Sequence, residues 1–182
     1  MVESKISCNH EILQVIKTIN VLPFADLKSV YAKERKQTDD PVLLFALFSR
    51  MKDICIENKY QSMCAPFCGL HMDFFICTLD GKEFSSYYET DYEGLGDYYP
   101  IVSSCVNYLD EYGRVRRFLC EKNTKVRVTG KRLLFGKDII IEEFQKELYG
   151  LESLLIQHEC DNIAQNFVVN SGIEVEINNY AS

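Results

Sequence analysis

Apolar positions in the first third of the chain fall at helical spacing. Ile12, Leu13, Val15, Ile16 and Ile19 recur every three to four residues and would line one helix face, with Ser7 or Asn9 as the N-cap. Pro23 interrupts the pattern. Phe24, Leu27, Val30 and Tyr31 then interleave with Lys28, Lys33, Glu34 and Arg35 in a second amphipathic segment. Pro41 suits the first turn of a third helix because its missing N–H would be unpaired there, and Asp39 or Asp40 can cap it. From Val42 to Ile56 this helix, ending near Glu57, is apolar on most faces, which predicts a central position.

After Gly69 the pattern changes. His71 to Leu79 is rich in aromatic and β-branched residues, and Asp80-Gly81 predicts a hairpin turn with Lys82 to Glu89 as the returning strand. A second hairpin is expected from Lys125–Thr129 and Arg132–Phe135 around Gly130-Lys131. Asp138 can cap a helical stretch reaching roughly to Phe167 and broken near Gly150, with Ile141, Phe144, Leu148, Leu151, Leu155 and Ile163 on one side. Ser171-Gly172 turns the chain into a last strand, where Ile173, Val175 and Ile177 alternate with Glu174 and Glu176. There is no internal repeat, low-complexity tract or linker. The expected fold is α+β, a single domain over 1–182: an N-terminal helical layer, a small antiparallel sheet and a C-terminal helical stretch.

Composition adds limits. The 182 residues are 47% hydrophobic and 26% charged, ordinary values for a globular chain. The longest apolar run, Val42 to Phe48, is far short of the ~20 residues a membrane-spanning helix needs. Glu11, Gln14, Lys17 and Asn20 break the N-terminal apolar stretch, so no export signal is expected. A cytoplasmic location follows, and with it eight cysteines in thiol form. Cys55, Cys77, Cys105, Cys120 and Cys160 all lie in apolar or amphipathic runs, where a free thiol packs as a small hydrophobe.

Charge is blocked along the sequence. Residues 80–113 carry eight acidic and one basic side chain, residues 114–137 one acidic and nine basic, and residues 138–182 nine acidic and one basic. The first block also holds seven of the eleven tyrosines. Tyr87, Tyr88, Tyr92, Tyr98 and Tyr99, interleaved with Glu89, Asp91, Glu93, Asp97, Asp110 and Glu111, predict a partner-binding surface: tyrosine offers contact area at low entropic cost, and carboxylates steer a cationic protein. Packing of tyrosines at the core edge and simple solvation of the acids is the plainer reading. The basic block from Arg114 to Lys137 could track a phosphate backbone, but the net charge of −7 disfavours a polyanion, and pairing with the flanking acids accounts for it better.

Reactive constellations are sparse. Cys64, Cys68, His71 and Cys77 could be imagined around zinc, but the three-residue first gap is not the usual knuckle, and buried thiols are expected instead. His158 and Cys160 are neighbours in sequence that a helix would point apart. No phosphate-binding glycine loop, dinucleotide fingerprint or serine elbow is present. These observations predict no catalytic residues, no metal and no cofactor, and a protein that is not an enzyme.

In size, acidity and lack of a catalytic motif the chain resembles the small acidic immunity proteins of bacterial toxin systems, including contact-dependent growth inhibition. That resemblance implies a protein-binding inhibitor that neutralises a cationic toxin such as a nuclease, with no direct nucleic-acid or membrane contact. The alternatives are a nucleic-acid-binding or regulatory adaptor using segment 114–137, discriminated by salt-dependent binding, and an enzyme of unrecognised type, discriminated by a pocket holding a perturbed Cys, His or carboxylate.

Overall fold

The computed structural model describes residues 12–14, 16, 18–78, 83–110 and 113–175. Two antiparallel sheets dominate it. The first has five strands in the order β1 (Ser62–Cys64), β2 (Phe74–Thr78), β3 (Phe84–Gly94), β6 (Lys125–Phe135) and β7 (Ile139–Tyr149). The second has three, β4 (Tyr98–Leu109), β5 (Val115–Asn123) and β8 (Ile173–Glu174), in the order β4-β5-β8. Described α-helices include α1 (Leu27–Tyr31), α2 (Pro41–Asn58), α3 (Gly150–Ile163) and α4 (Val168–Ser171), and residues 12–14, 16 and 18 are helical as well.

Helix α2 forms where its signals place it. The Asp40 side chain accepts from the amides of Val42 at 2.9 Å and Leu43 at 3.4 Å, with Pro41 in the first turn. Lys59 in the left-handed region (φ 60°) closes the other end by donating back to Cys55 and Ile56. Leu44, Leu47, Met51 and Ile54 are buried against Ile12, Ile16 and Ile19 on one side and the five-stranded sheet on the other.

Strand β2 is buried along its whole length, so its period-2 alternation sorts apolar residues onto two cores. Phe74 and Ile76 face α2, while Phe75 and Cys77 face the second core, which fills the space between the sheets with Tyr87, Val126, Val128, Tyr108, Phe118, Ile156 and Phe167. Tyr87 stacks on Phe75 with ring centroids 4.9 Å apart. The seven cysteines among the described residues form no disulfide, and six of them are buried.

The expected fold class is corrected by this arrangement. Residues 12–14, 16 and 18 are helical, but among the described residues the helices do not form an N-terminal layer beside a small sheet: strands in two sheets are the larger ordered element, and α2 is one helix laid on the five-stranded sheet. The supposed C-terminal helical stretch begins as strand β7, which pairs with β6 over its full length, from Lys125 opposite Tyr149 to Phe135 opposite Ile139. Helix starts only at Gly150, whose φ of +59° breaks the strand. Gly130-Lys131 is not a turn. It lies inside β6, opposite the irregularity between Tyr88 and Asp91 of β3, and a Cβ on Gly130 would come within 2.8 Å of the Thr90 Cα. Glycine is there because two backbones approach closely. The Asp80-Gly81 turn lies outside the described residues, although the strands on either side pair as expected, Phe74 opposite Tyr88 and Thr78 opposite Phe84.

Leu47 is completely buried between α2 and the sheet. Leu47→Ala should cost ~2–5 kcal/mol, measured by urea unfolding with an unchanged slope; a loss under ~1 kcal/mol would mean that this helix face is not closely packed.

Candidate active site on helix α3

Helix α3 lies between the sheets and contacts strands of both, and unusually for so buried a helix its inner face is polar. Ser153, Gln157, Glu159 and Asn162 are all buried. Each is satisfied. Gln157 accepts from the Asn123 amide at 2.9 Å and donates to the Asn123 carbonyl at 2.9 Å, and Ser153 donates to that same carbonyl at 3.3 Å, which fastens the helix to the end of β5. Asp161 accepts from Tyr92 of β3 at 2.9 Å and from the ammonium of Lys122 of β5, so one carboxylate ties the helix to both sheets. The Tyr31 hydroxyl of α1 donates to the Asn162 carbonyl at 2.5 Å.

One turn of this helix opens onto a cavity of about 260 Å³. Its walls include Val21, Tyr60, Met63, Phe67 and Leu155, and its polar groups include Ser62, Ser104, His158 and Glu159. Glu159 accepts from Ser62 at 2.5 Å, from the Cys64 thiol and, at 3.5 Å, from the Asn162 amide. Those donors favour the carboxylate, but burial outweighs them and pushes its pKa up to about 7. His158 is partly accessible through the cavity, with its Nδ1 3.3 Å from the Ser103 hydroxyl. Desolvation, helped by the nearby Lys122 ammonium, pushes its pKa down to about 4. Adjacent residues are therefore shifted in opposite directions, the acid toward its neutral form and the base toward its own. A larger groove of about 510 Å³ over β3, β6 and β7 is shallow, and its Glu89 and Lys131 are already paired at 2.6 Å.

His158-Glu159-Cys160-Asp161-Asn162 repeats, on a helix, the frame His-Glu-x-x-His that binds zinc through two histidines one turn apart. The second histidine is missing. Its position holds Asn162, which is buried, with its amide directed to Glu159. Among the described residues no group of three His, Cys, Asp or Glu side chains could hold a metal ion. Cys64, beside Glu159, is a poor ligand because burial pushes its thiol pKa well up, keeping it protonated. The residues present do not fit a metal centre. His71, considered with Cys64, Cys68 and Cys77 as a zinc set, instead has Nδ1 2.8 Å from the Lys33 carbonyl and its ring against Tyr31.

The residues expected to form a partner surface are dispersed. Tyr87 and Tyr88 are core residues, and Tyr92 is partly buried against Asp161. Glu89 pairs with Lys131, Glu93 with Arg127, and Asp110 with Arg114, while Asp91 accepts from the Tyr92 amide. Asp97, Tyr98 and Tyr99 are exposed, at the start of β4. Glu111 lies outside the described residues. Most cations of the basic block pair with acids on either side of it: Arg116 meets Glu174, Lys125 meets Glu147 and Arg132 meets Glu142. Antiparallel pairing of β6 with β3 and β7, and of β5 with β8, sets these opposite charges close to one another across neighbouring strands.

No protein-family model matches the chain, and no curated protein matches it in sequence. Solved structures do. A peptide deformylase from Legionella pneumophila superposes with a TM-score of 0.66 at 19% identity, covering 84% of this chain and 84% of that one. A probable peptide deformylase from Synechococcus phage S-SSM7 gives 0.69 at 15% identity over 84% and 98% of the two chains. The Thermotoga maritima peptide deformylase gives 0.67 at 16% identity over 85% and 97%. At these identities the likeness establishes the fold, one that this chain shares with solved peptide deformylases. It overturns the resemblance to toxin-immunity proteins, the expectation of a non-enzymatic inhibitor and the cationic toxin partner. No helix among the described residues is long and apolar enough to cross a membrane.

The two opposed shifts have a consequence for stability. A carboxyl whose pKa is raised from 4.5 to about 7 on folding stabilises the protein below pH 4.5, and that contribution is lost as pH rises through 7. Glu159→Gln keeps the neutral shape without the titration. The melting temperature of Glu159→Gln minus that of the unaltered protein should therefore rise between pH 5 and pH 8, by an amount equivalent to roughly 3 kcal/mol at most. A difference that stays flat across that range would show that Glu159 is not protonated in the folded state.

Proposed function

We propose that the chain is a single-domain cytoplasmic hydrolase of amide bonds, acting on a short acylated or formylated peptide in the cavity beside α3. The observation that carries this reading is the convergence of a buried carboxyl, Glu159, and an imidazole, His158, on one small cavity with apolar walls. Peptide deformylase, the name borne by the solved structures of this fold, supplies the substrate class. Free thiols throughout the described residues suit a reducing compartment.

Glu159 serves as the proton-transfer group. Near pH 7 about half of it is ionised, which suits a general base. It takes a proton from a water molecule attacking the substrate carbonyl, then delivers that proton to the departing amine, so one amide and one water become one acid and one amine. His158 stays neutral through this range. In the tautomer in which the Ser103 hydroxyl donates to Nδ1, the imidazole proton resides on Nε2, available to the carbonyl oxygen as charge develops there. The apolar walls of Met63, Phe67 and Leu155 take an uncharged side chain.

Incubating the purified protein with a panel of formyl- and acetyl-peptides, with products read by mass spectrometry, tests the assignment. Release of the acyl group should fall by roughly 100-fold or more in Glu159→Gln, with the fold intact by circular dichroism. Turnover that survives this change would remove Glu159 from the chemistry, and no turnover across the panel would remove the substrate class.

A further inference from the structure

We infer that α3 is a metal-free counterpart of a zinc-binding helix, in which Asn162 stands where a second histidine would coordinate and binds Glu159 instead. Three observations carry this. The spacing His158, Glu159, Asn162 keeps the first two positions of the frame and changes the third. The Asn162 side chain is committed inward, donating at 3.5 Å to the carboxyl oxygen of Glu159 not bonded by Ser62, while its backbone carbonyl is held by Tyr31. An amide is a weak ligand for zinc beside imidazole, thiolate or carboxylate, and although Cys105 shares the cavity with His158 and Glu159, no three such side chains among the described residues are placed to hold an ion. The polar contacts that a metal centre would need are used up in holding the helix and its carboxyl in place. This inference is separate from the proposed hydrolysis: a metal-free helix can belong to a protein that cleaves nothing, and a cleaving protein can prove to hold a metal.

The test measures metal directly. The full-length protein, stripped with a chelator, is dialysed against Zn²⁺, and bound metal is counted by elemental analysis; Co²⁺ substitution gives a visible spectrum that reports tetrahedral coordination. The unaltered protein should take up no equivalent of Zn²⁺ that depends on His158, as comparison with His158→Ala shows, and its melting temperature should be the same with Zn²⁺ as with chelator. Zinc retained equally by His158→Ala is bound elsewhere and leaves the inference standing. One equivalent bound by the unaltered protein and lost in His158→Ala overturns it. Asn162→His should gain a His158-dependent equivalent and the Co²⁺ bands. If that variant melts cooperatively yet gains nothing, position 162 is not the one that decides.

Discussion

Everything in this fold meets at the polar inner face of α3. A helix buried between two sheets normally presents leucine and isoleucine, but here Ser153, Gln157, Glu159, Asp161 and Asn162 all have partners: Ser153 and Gln157 on β5, Glu159 on β1, Asp161 on both sheets, and Asn162 on Glu159 through its amide and on α1 through its carbonyl. Such groups would cost roughly 1–3 kcal/mol each if left unpaired, so the network admits few alternatives. Asn123 must end β5 where Gln157 can grip both its amide and its carbonyl, and Ser62 must begin β1 where Glu159 can reach it. The separation of the sheets is thereby fixed, and with it the small cavity beside the helix.

How much of this could be read in advance follows from which forces leave a mark on sequence. Helix α2 was legible because its signals are local: Asp40 caps, Pro41 starts, and a continuous apolar run buries. The strand β2 was legible for the same reason. The stretch from Ile139 to Tyr149 was misread as helix because Ile141, Phe144 and Leu148 happen to fall at helical spacing, while its pairing with β6, twenty or so residues away at the far ends, leaves no local trace. Strands β4 and β5 were masked by the charge blocks in and around them. The tyrosines at the start of β4 and the carboxylates flanking that strand read as a surface, whereas Tyr108 packs in the core and Asp110 binds Arg114.

The site was harder still. His158 was noticed only for its nearness to Cys160, and the informative neighbour was Glu159. A one-residue departure from the His-Glu-x-x-His frame removes the pattern that would identify it, and what remains is a histidine and an acid in a sequence with many acids. The only other sign available was that α3 contains too many polar residues for a helix between two sheets, which requires knowing that the sheets are there. Burial of Glu159 is a tertiary fact and has no signature in composition.

The opposed shifts at His158 and Glu159 explain how a chain can keep this pair without a metal between them. A metal ion would supply positive charge, holding the carboxyl ionised and offsetting the burial of its negative charge. Without one, an ionised Glu159 would be a buried anion with three weak donors and no cation in contact, which is why its pKa climbs despite those hydrogen bonds. A protonated His158 would be a largely desolvated cation with the Lys122 ammonium nearby, which is why its pKa falls. Between the two values both side chains are neutral, and the turn of helix that carries them is close to an uncharged hydrogen-bonding surface. Asn162 is the residue compatible with that state: its amide satisfies the carboxyl in either protonation form and brings no charge of its own, where a second imidazole would add another titrating group to a site that has no ion to share.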